Sequence, residues 1–389
     1  MPRRDTRASQ TRSSFVDRVY GIRDRWLADP RFQRWAAAFP LTRGIARTRA
    51  RALFDVCAGF VYSQILYACV KLGLFAQLTG GPRSAEFLAE ALHVPLDSMT
   101  RLLEAAASLR LVERRSGERF GLGTLGASLI GNPGVAAMVE HHGLFYADLG
   151  DPVALLRGRQ PTSLSRYWAY ANSTAPRTLA RVDVAEYSQL MSASQPLVAA
   201  EILDAYPVGR HRVLLDVGGG EGGFCIEAAA RHPLLRVIAF DLPPIAATAR
   251  GRFAHAGIVE RAEAVGGDFL KDSLPGGADL ATLVRVLHDH DDQNAARLLR
   301  SVHRALREDG VVLIGEPMAS AGGNDPSGDA YFGFYLLAMG QGRPRSPQML
   351  QTMLREAGFV EARVLATAVP LKTRIVIARK PRGPAPRSV

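Results

Sequence analysis

Leu214-Leu215-Asp216-Val217-Gly218-Gly219-Gly220-Glu221-Gly222-Gly223 runs from an apolar strand through an acid into a glycine turn, at the point where a helix should begin. Glycine adopts backbone angles closed to other residues and lets a ligand approach the main chain, so the turn reads as the cradle of a nucleotide-type cofactor. The next two strands repeat the design. Arg236-Val237-Ile238-Ala239-Phe240 ends at Asp241, and the following unit ends at Gly267-Asp268-Phe269. Asp241 suits a ribose diol, which offers two hydroxyl donors, and Asp268 suits the exocyclic amine of adenine. An acid at the position of Asp241 also suits a nicotinamide dinucleotide.

The chemistry is expected from Leu287-His288-Asp289-His290-Asp291-Asp292, which follows the strand Asp279 to Val284. That places it at the carboxyl edge of a parallel sheet, where ligands gather. His288 suits a general base because its pKa lies near neutrality. Either Asp289 or Glu316, at the end of the strand Val311 to Gly315, is positioned to fix its tautomer and stabilise the imidazolium. The acids that follow read as the first turn of a helix, which favours carboxylates, and no metal is expected. Upstream, Glu140-His141-His142-Gly143-Leu144-Phe145-Tyr146 and Tyr167-Trp168-Ala169-Tyr170 concentrate aromatic residues and histidine. They are candidates for a substrate cavity or for an interface, and no third ligand at metal spacing accompanies the histidines.

With 389 residues, nearly half of them apolar, the chain can bury a large core and is expected to hold two domains. Cys57, Cys69 and Cys225 show neither a disulfide framework nor zinc spacing, which suits a reducing cytoplasm. The most apolar stretch, Ala52 to Leu78, is interrupted by Asp55, Ser63, Gln64 and Lys71, so no membrane crossing is expected. The net charge of +11 sits at the chain ends: residues 1–51 carry 13 arginines against four aspartates, and Arg379, Lys380, Arg382 and Arg387 close the chain. Between these ends the balance is close to neutral, which argues against nucleic acid as a partner.

Phe15, Val16, Val19, Ile22, Trp26 and Leu27 recur at helical spacing among arginines, predicting a basic amphipathic helix. Arg31-Phe32-Gln33-Arg34-Trp35 with Phe39 repeats the mixture. Such helices suit the surface of an anionic membrane, or packing against the rest of the protein or a second subunit. Residues 52–135 read as a small helical module in which Ser84 caps a helix from Ala85 to His93 and a second helix starts at Asp97. Val112 to Arg115 and Arg119 to Leu122, around Ser116-Gly117-Glu118, then predict a hairpin, giving a winged-helix pattern. The would-be recognition helix offers Arg101 and Glu104 among alanines and leucines, too few donors for DNA, so the module reads as a dimerisation element.

Asp-x-Gly-x-Gly-x-Gly from Asp216 resembles motif I of S-adenosylmethionine methyltransferases, in which the turn cradles an amino acid moiety. Asp-Val-Gly-Gly-Gly at 216–220, Phe-Asp-Leu-Pro at 240–243, Gly-Gly-Asp at 266–268 and Leu-His-Asp at 287–289 match, in order, the plant-type small-molecule O-methyltransferases and their bacterial relatives. The resemblance spans residues 52–380. It implies a homodimer with a winged-helix dimerisation domain (52–135), a helical connection (136–205) and a class I, Rossmann-like doubly wound α/β domain (206–380). A basic extension (1–51) and a basic tail (381–389) flank them. The sheet is expected to end in Glu361 to Ala366 and Arg374 to Arg379, one of them antiparallel. S-adenosylmethionine is the implied cofactor, contacted by Asp216, Gly218, Gly220, Asp241, Leu242, Asp268, Phe269 and Arg285. His288 is the implied base, flanked by Asp289 and Glu316, with Tyr187, Met191, His142, Phe334 and Met339 lining the substrate pocket.

Two positions depart from the family. Its usual tryptophan after His-Asp is His290 here, and the second glutamate expected near Gly342-Arg343-Pro344-Arg345 is absent, with Pro344 about where it should fall. Gly59-Phe60-Val61-Tyr62-Ser63-Gln64, Val284 to Asp292 and Met339 to Ser346 are similar to the carotenoid-modifying branch of phototrophic bacteria, which methylates the tertiary 1-hydroxyl of acyclic carotenoids such as hydroxyneurosporene and demethylspheroidene. That branch implies an apolar acceptor and an enzyme peripheral to the inner or intracytoplasmic membrane. An aromatic polyketide, a phenol or a bacteriochlorophyll precursor as acceptor, and a regulator built on an inactive methyltransferase fold, are the alternatives left open.

Overall fold

A computed structural model describes residues 15–158, 161–167, 195–320, 327–368 and 373–383. Its N-terminal part is helical: α1 (Phe15–Ala28), α2 (Pro30–Ala38), α3 (Arg43–Lys71), α4 (Leu74–Leu78), α5 (Ala85–Ala91) and α6 (Leu96–Ser108). Ser84 caps α5 by accepting from the Phe87 N–H, as expected, but the helix stops at Ala91, two residues early, because His93 takes a left-handed conformation with φ +53°. A two-stranded antiparallel hairpin follows, β1 (Val112–Arg115) and β2 (Arg119–Leu122), turning at Ser116–Glu118. Leu74, Leu88, Met99, Leu103, Val112 and Phe120 share one core, so α4 to α6 and the hairpin form the winged-helix unit that the residue pattern predicted. Two helices, α7 (Thr124–Ile130) and α8 (Pro133–Asp148), lead out of it.

The N-terminal helices are solvent-facing in the single chain: α1 buries no residue and α2 only Ala36. By length and composition α3 is apolar enough to cross a membrane, so the interruptions at Asp55, Ser63, Gln64 and Lys71 do not by themselves exclude a crossing. An alternative use for its exposed apolar side is a protein interface.

The C-terminal domain is built on one mixed sheet. Its strands are β3 (Val213–Val217), β4 (Arg236–Asp241), β5 (Ala262–Gly266), β6 (Ala278–Val284), β7 (Leu306–Glu316), β8 (Val360–Leu365) and β9 (Arg374–Arg379). Their order is β5-β4-β3-β6-β7-β9-β8, with β9 antiparallel to both neighbours and the rest parallel. Parallel strands are buried on both faces, which is why β6 reads Ala-Asp-Leu-Ala-Thr-Leu-Val without an exposed residue. Two apolar clusters, one through Leu214, Phe224 and Phe253 and one through Leu215, Leu298 and Val312, cover the opposite faces. The strand order reverses at β3, so the crevice beyond the carboxyl ends of β3, β4 and β6 is the natural ligand site.

Candidate active site

The turn after β3 is shaped by steric limits. Gly218 has φ +70°, and a Cβ there would stand 2.7 Å from Val286 Cγ2, in the loop after β6. Its N–H donates to the Phe240 carbonyl at 2.8 Å, tying the turn to β4. Asp216, buried at the end of β3, accepts from the Thr282 hydroxyl at 2.6 Å through Oδ1, while Oδ2 has no partner among the described residues. Burial pushes its carboxyl up to about 7. Gly220, also at positive φ, donates its N–H to Asp241 Oδ2 at 2.7 Å, and the Leu242 N–H donates to Oδ1 at 2.7 Å. Burial raises Asp241 to about 6 against these two donors.

Asp268, 5% exposed, accepts from the Leu270 N–H at 3.0 Å and lies 3.3 Å from Lys271 Nζ. Phe269 stands edge-on to His290, with centroids 5.4 Å apart. Arg285 has φ +57°, donates its N–H to the Gly315 carbonyl at 2.9 Å, and its guanidinium bonds the Gln195 side chain. The orphaned Asp216 oxygen and a turn that tolerates no side chain at Gly218 fit S-adenosylmethionine.

His288 sits on a short 3-10 turn, Leu287–Asp289, and is 6% exposed. Its Nε2 lies 3.1 Å from Asp289 Oδ1 and its Nδ1 lies 3.7 Å from Glu316 Oε2, so both acids named as alternatives flank the ring, one at each nitrogen. Glu316, fully buried at the end of β7, also accepts from the His288 N–H at 3.1 Å. Burial opposes the imidazolium, but the Asp289 and Glu316 charges outweigh it and raise the His288 pKa above its ordinary value. Asp291 caps the helix Asp292–Ala305 by accepting from the Asn294 N–H, so the acidic run opens a helix, as expected.

Sequence reasoning assigned no role to Arg345, yet the structure buries it completely under the His288 turn. It donates to the Leu287 and His290 carbonyls, both at 2.7 Å, and to Asp292 Oδ1 at 3.0 Å. Arg343 pairs with the same Asp292 and donates its N–H to the His288 carbonyl at 2.9 Å. The only available signal was a charged Gly-Arg-Pro-Arg run at the place where the family pattern fails.

Among the pocket candidates, His142 Nε2 is hydrogen-bonded to the Tyr331 hydroxyl at 2.7 Å, and His141 to Tyr335 at 2.7 Å. Burial lowers both histidines, His141 to about 4, so neither carries charge at neutral pH. Phe332, on a π-helical turn at Ser327–Phe332, brings its ring centroid to 6.1 Å from that of His288. Met339 is fully buried with Phe145 and Leu164, whereas Phe334 is 36% exposed on the same helix, Gly333–Met339. Tyr187, Met191, Trp168 and Tyr170 lie outside the described residues.

This fold and site define a class. An O-methyltransferase domain family model matches residues 146–360, an O-methyltransferase dimerisation domain matches 54–131, and the chain belongs to this family of S-adenosylmethionine-dependent O-methyltransferases. More particularly, it is 39% identical to the demethylspheroidene O-methyltransferase of Cereibacter sphaeroides over 90% of this chain and 92% of that one. It is 29% identical to the acetylserotonin O-methyltransferase of Mus musculus, over 86% of each chain. The crystal structure of human N-acetylserotonin methyltransferase in complex with SAM superposes with a TM-score of 0.72 at 25% identity, covering 86% of this chain and 98% of that one. The match to a dimerisation domain makes the assembly a homodimer.

Proposed function

We propose that this enzyme transfers the methyl group of S-adenosylmethionine to the tertiary 1-hydroxyl of an acyclic carotenoid, with His288 as general base. One observation carries the reading: a buried histidine with a carboxylate against each ring nitrogen stands at the sheet edge, beside the glycine turn. Identity of 39% to a relative named for demethylspheroidene supports the carotenoid acceptor, and the aromatic ring of Phe332 beside His288 supports an apolar one.

Asp241 would hold the ribose and Asp268 the adenine amine, with Leu242 and Phe269 alongside. Asp216, Gly218 and Gly220 would receive the amino acid end, with Arg285 beside them. When bound, the cofactor supplies a methyl group that is already electrophilic, which leaves the protein to align the acceptor and take its proton. A tertiary alcohol is far less acidic than imidazolium, so His288 would accept the proton as the oxygen bonds the methyl carbon and that carbon's bond to sulfur breaks, in one concerted step. The imidazolium so formed is stabilised by Asp289 and Glu316, whose charges already favour it.

Purified protein incubated with radiolabelled S-adenosylmethionine and detergent-dispersed 1-hydroxy carotenoids, a phenol and a chlorin should place label in a carotenoid methyl ether. Label in another acceptor alone would discard the carotenoid. His288→Ala should lose turnover by roughly 10²–10⁴-fold while still binding cofactor, and unchanged turnover would sink the base assignment.

The same acceptor makes sense of the N-terminus as a peripheral contact with anionic membrane. Phe15, Trp26 and Trp35 are 81%, 61% and 53% exposed, and Trp26, Phe32, Trp35 and Phe39 form a continuous ladder with centroids 5.1 to 5.7 Å apart. Arginines surround them, and each basic residue near an anionic surface contributes about 1 kcal/mol. Cosedimentation with phosphatidylglycerol vesicles, lost on substituting Arg18, Arg25, Arg31 and Arg34 by glutamate, would support this contact; no cosedimentation would end it.

A further inference from the structure

The turn that carries His288 is poorly held by its own backbone. Its two internal hydrogen bonds, from Asp289 N–H to Val286 and from His290 N–H to Leu287, are long at 3.3 and 3.2 Å. Glu316 takes the His288 N–H, and the turn's carbonyls are held by a segment far away in sequence. The carbonyls of Leu287, His288 and His290 accept respectively from the Arg345 guanidinium, the Arg343 N–H and the Arg345 guanidinium again. The fit is close: Gly342 has φ +83°, and a Cβ there would stand 2.2 Å from the His288 carbonyl oxygen.

We propose that Arg345 is a positioning residue for the base, gripping both ends of the 287–290 turn and so fixing where the His288 imidazole meets the acceptor hydroxyl. The role rests on His288 being the base. A planar guanidinium presents donors in a rigid fork, so two carbonyls bridged by it cannot move independently. A lysine ammonium also has several donors, but they radiate from one nitrogen on a flexible stem and do not hold two carbonyls at a fixed separation. Asp292 balances the charge from the solvent side, its own side chain 52% exposed, so the fork and not the ion pair carries the geometry. Reactions of this kind depend steeply on alignment, and a misplacement of about 1 Å costs about 100-fold. The position also lies beside Glu316, whose carboxyl is raised by burial and lowered by the His288 and Arg345 charges.

The test compares Arg345→Met, Arg345→Lys, Asp292→Asn and His288→Ala with the parent enzyme. It reads kcat, the affinity for S-adenosylhomocysteine by calorimetry, and the His288 titration by nitrogen-15 NMR. Arg345→Met and Arg345→Lys should each lower kcat by about tenfold or more and shift the His288 titration, with cofactor affinity within about twofold. Asp292→Asn should change kcat by less than about threefold. If Arg345→Met does not fold, Arg345→Lys decides alone by the same readings. Parental kcat in a folded Arg345 variant, or cofactor affinity falling in step with kcat, would overturn the positioning role. Full turnover in His288→Ala would overturn the base assignment and the positioning role together, whereas an inactive His288→Ala beside a fully active Arg345→Lys removes the positioning role alone.

Discussion

His288 is pulled in opposite directions by its surroundings, and the outcome sets the pH dependence of the enzyme. Burial disfavours the imidazolium, the Asp289 charge restores it, Glu316 adds to that, and the balance lies above the ordinary value of 6.5. A base must be neutral to accept a proton. Turnover is therefore expected to rise with pH through a value above 6.5, in the range where the imidazolium is lost. Asp289→Asn removes the leading favourable charge, so the acid limb of the kcat profile should move to lower pH. A limb that stays in place would show that Asp289 does not govern the base. For stability the sign is the reverse of activity: a raised histidine pKa stabilises the fold at acid pH, and that contribution is lost as pH rises through it.

At the scale of elements, the loop after β3 and the loop after β6 are one mechanical unit, because Gly218 and Val286 are packed without room for a methyl group. Gly218→Ala would force either a left-handed alanine or a displaced Val286, two residues before the base. Cofactor affinity and kcat should both fall, affinity by at least about tenfold, whereas a variant binding like the parent would separate the two loops. Much of this unit was legible in the sequence. Asp216, Asp241 and Asp268 announce themselves because they fall at or just beyond the ends of three successive strands, and elsewhere Ser84 and the hairpin around Gly117 follow from local turn and capping chemistry. Arg345 was not legible in role, because its partners are main-chain carbonyls distant in sequence, which leave no side-chain pattern to read. Nor was the π-helical turn that sets Phe332 near His288: a six-residue run ending Asp-Ala-Tyr-Phe carries no distinctive period.

At the scale of the whole molecule, the N-terminal helices show why one chain is an incomplete object. Leu53, Val56 and Phe60 lie on one stripe of α3 and are 67%, 80% and 72% exposed, an apolar surface that a soluble monomer rarely leaves in water. Val56 and Phe60 fall inside the matched dimerisation domain, which begins at residue 54, so a second copy covering this stripe accounts for α3 better than a bilayer does. On this assignment a helix that passes a membrane test on composition alone serves as an interface helix. Phe60→Asp should test the assignment: exposed in the monomer, the aspartate costs little there, but buried in the dimer it brings an unpaired charge into an apolar contact. Analytical ultracentrifugation should find the parent at twice the 42.1 kDa chain mass and the variant at the single-chain mass. A variant that remains dimeric would move the interface off this stripe.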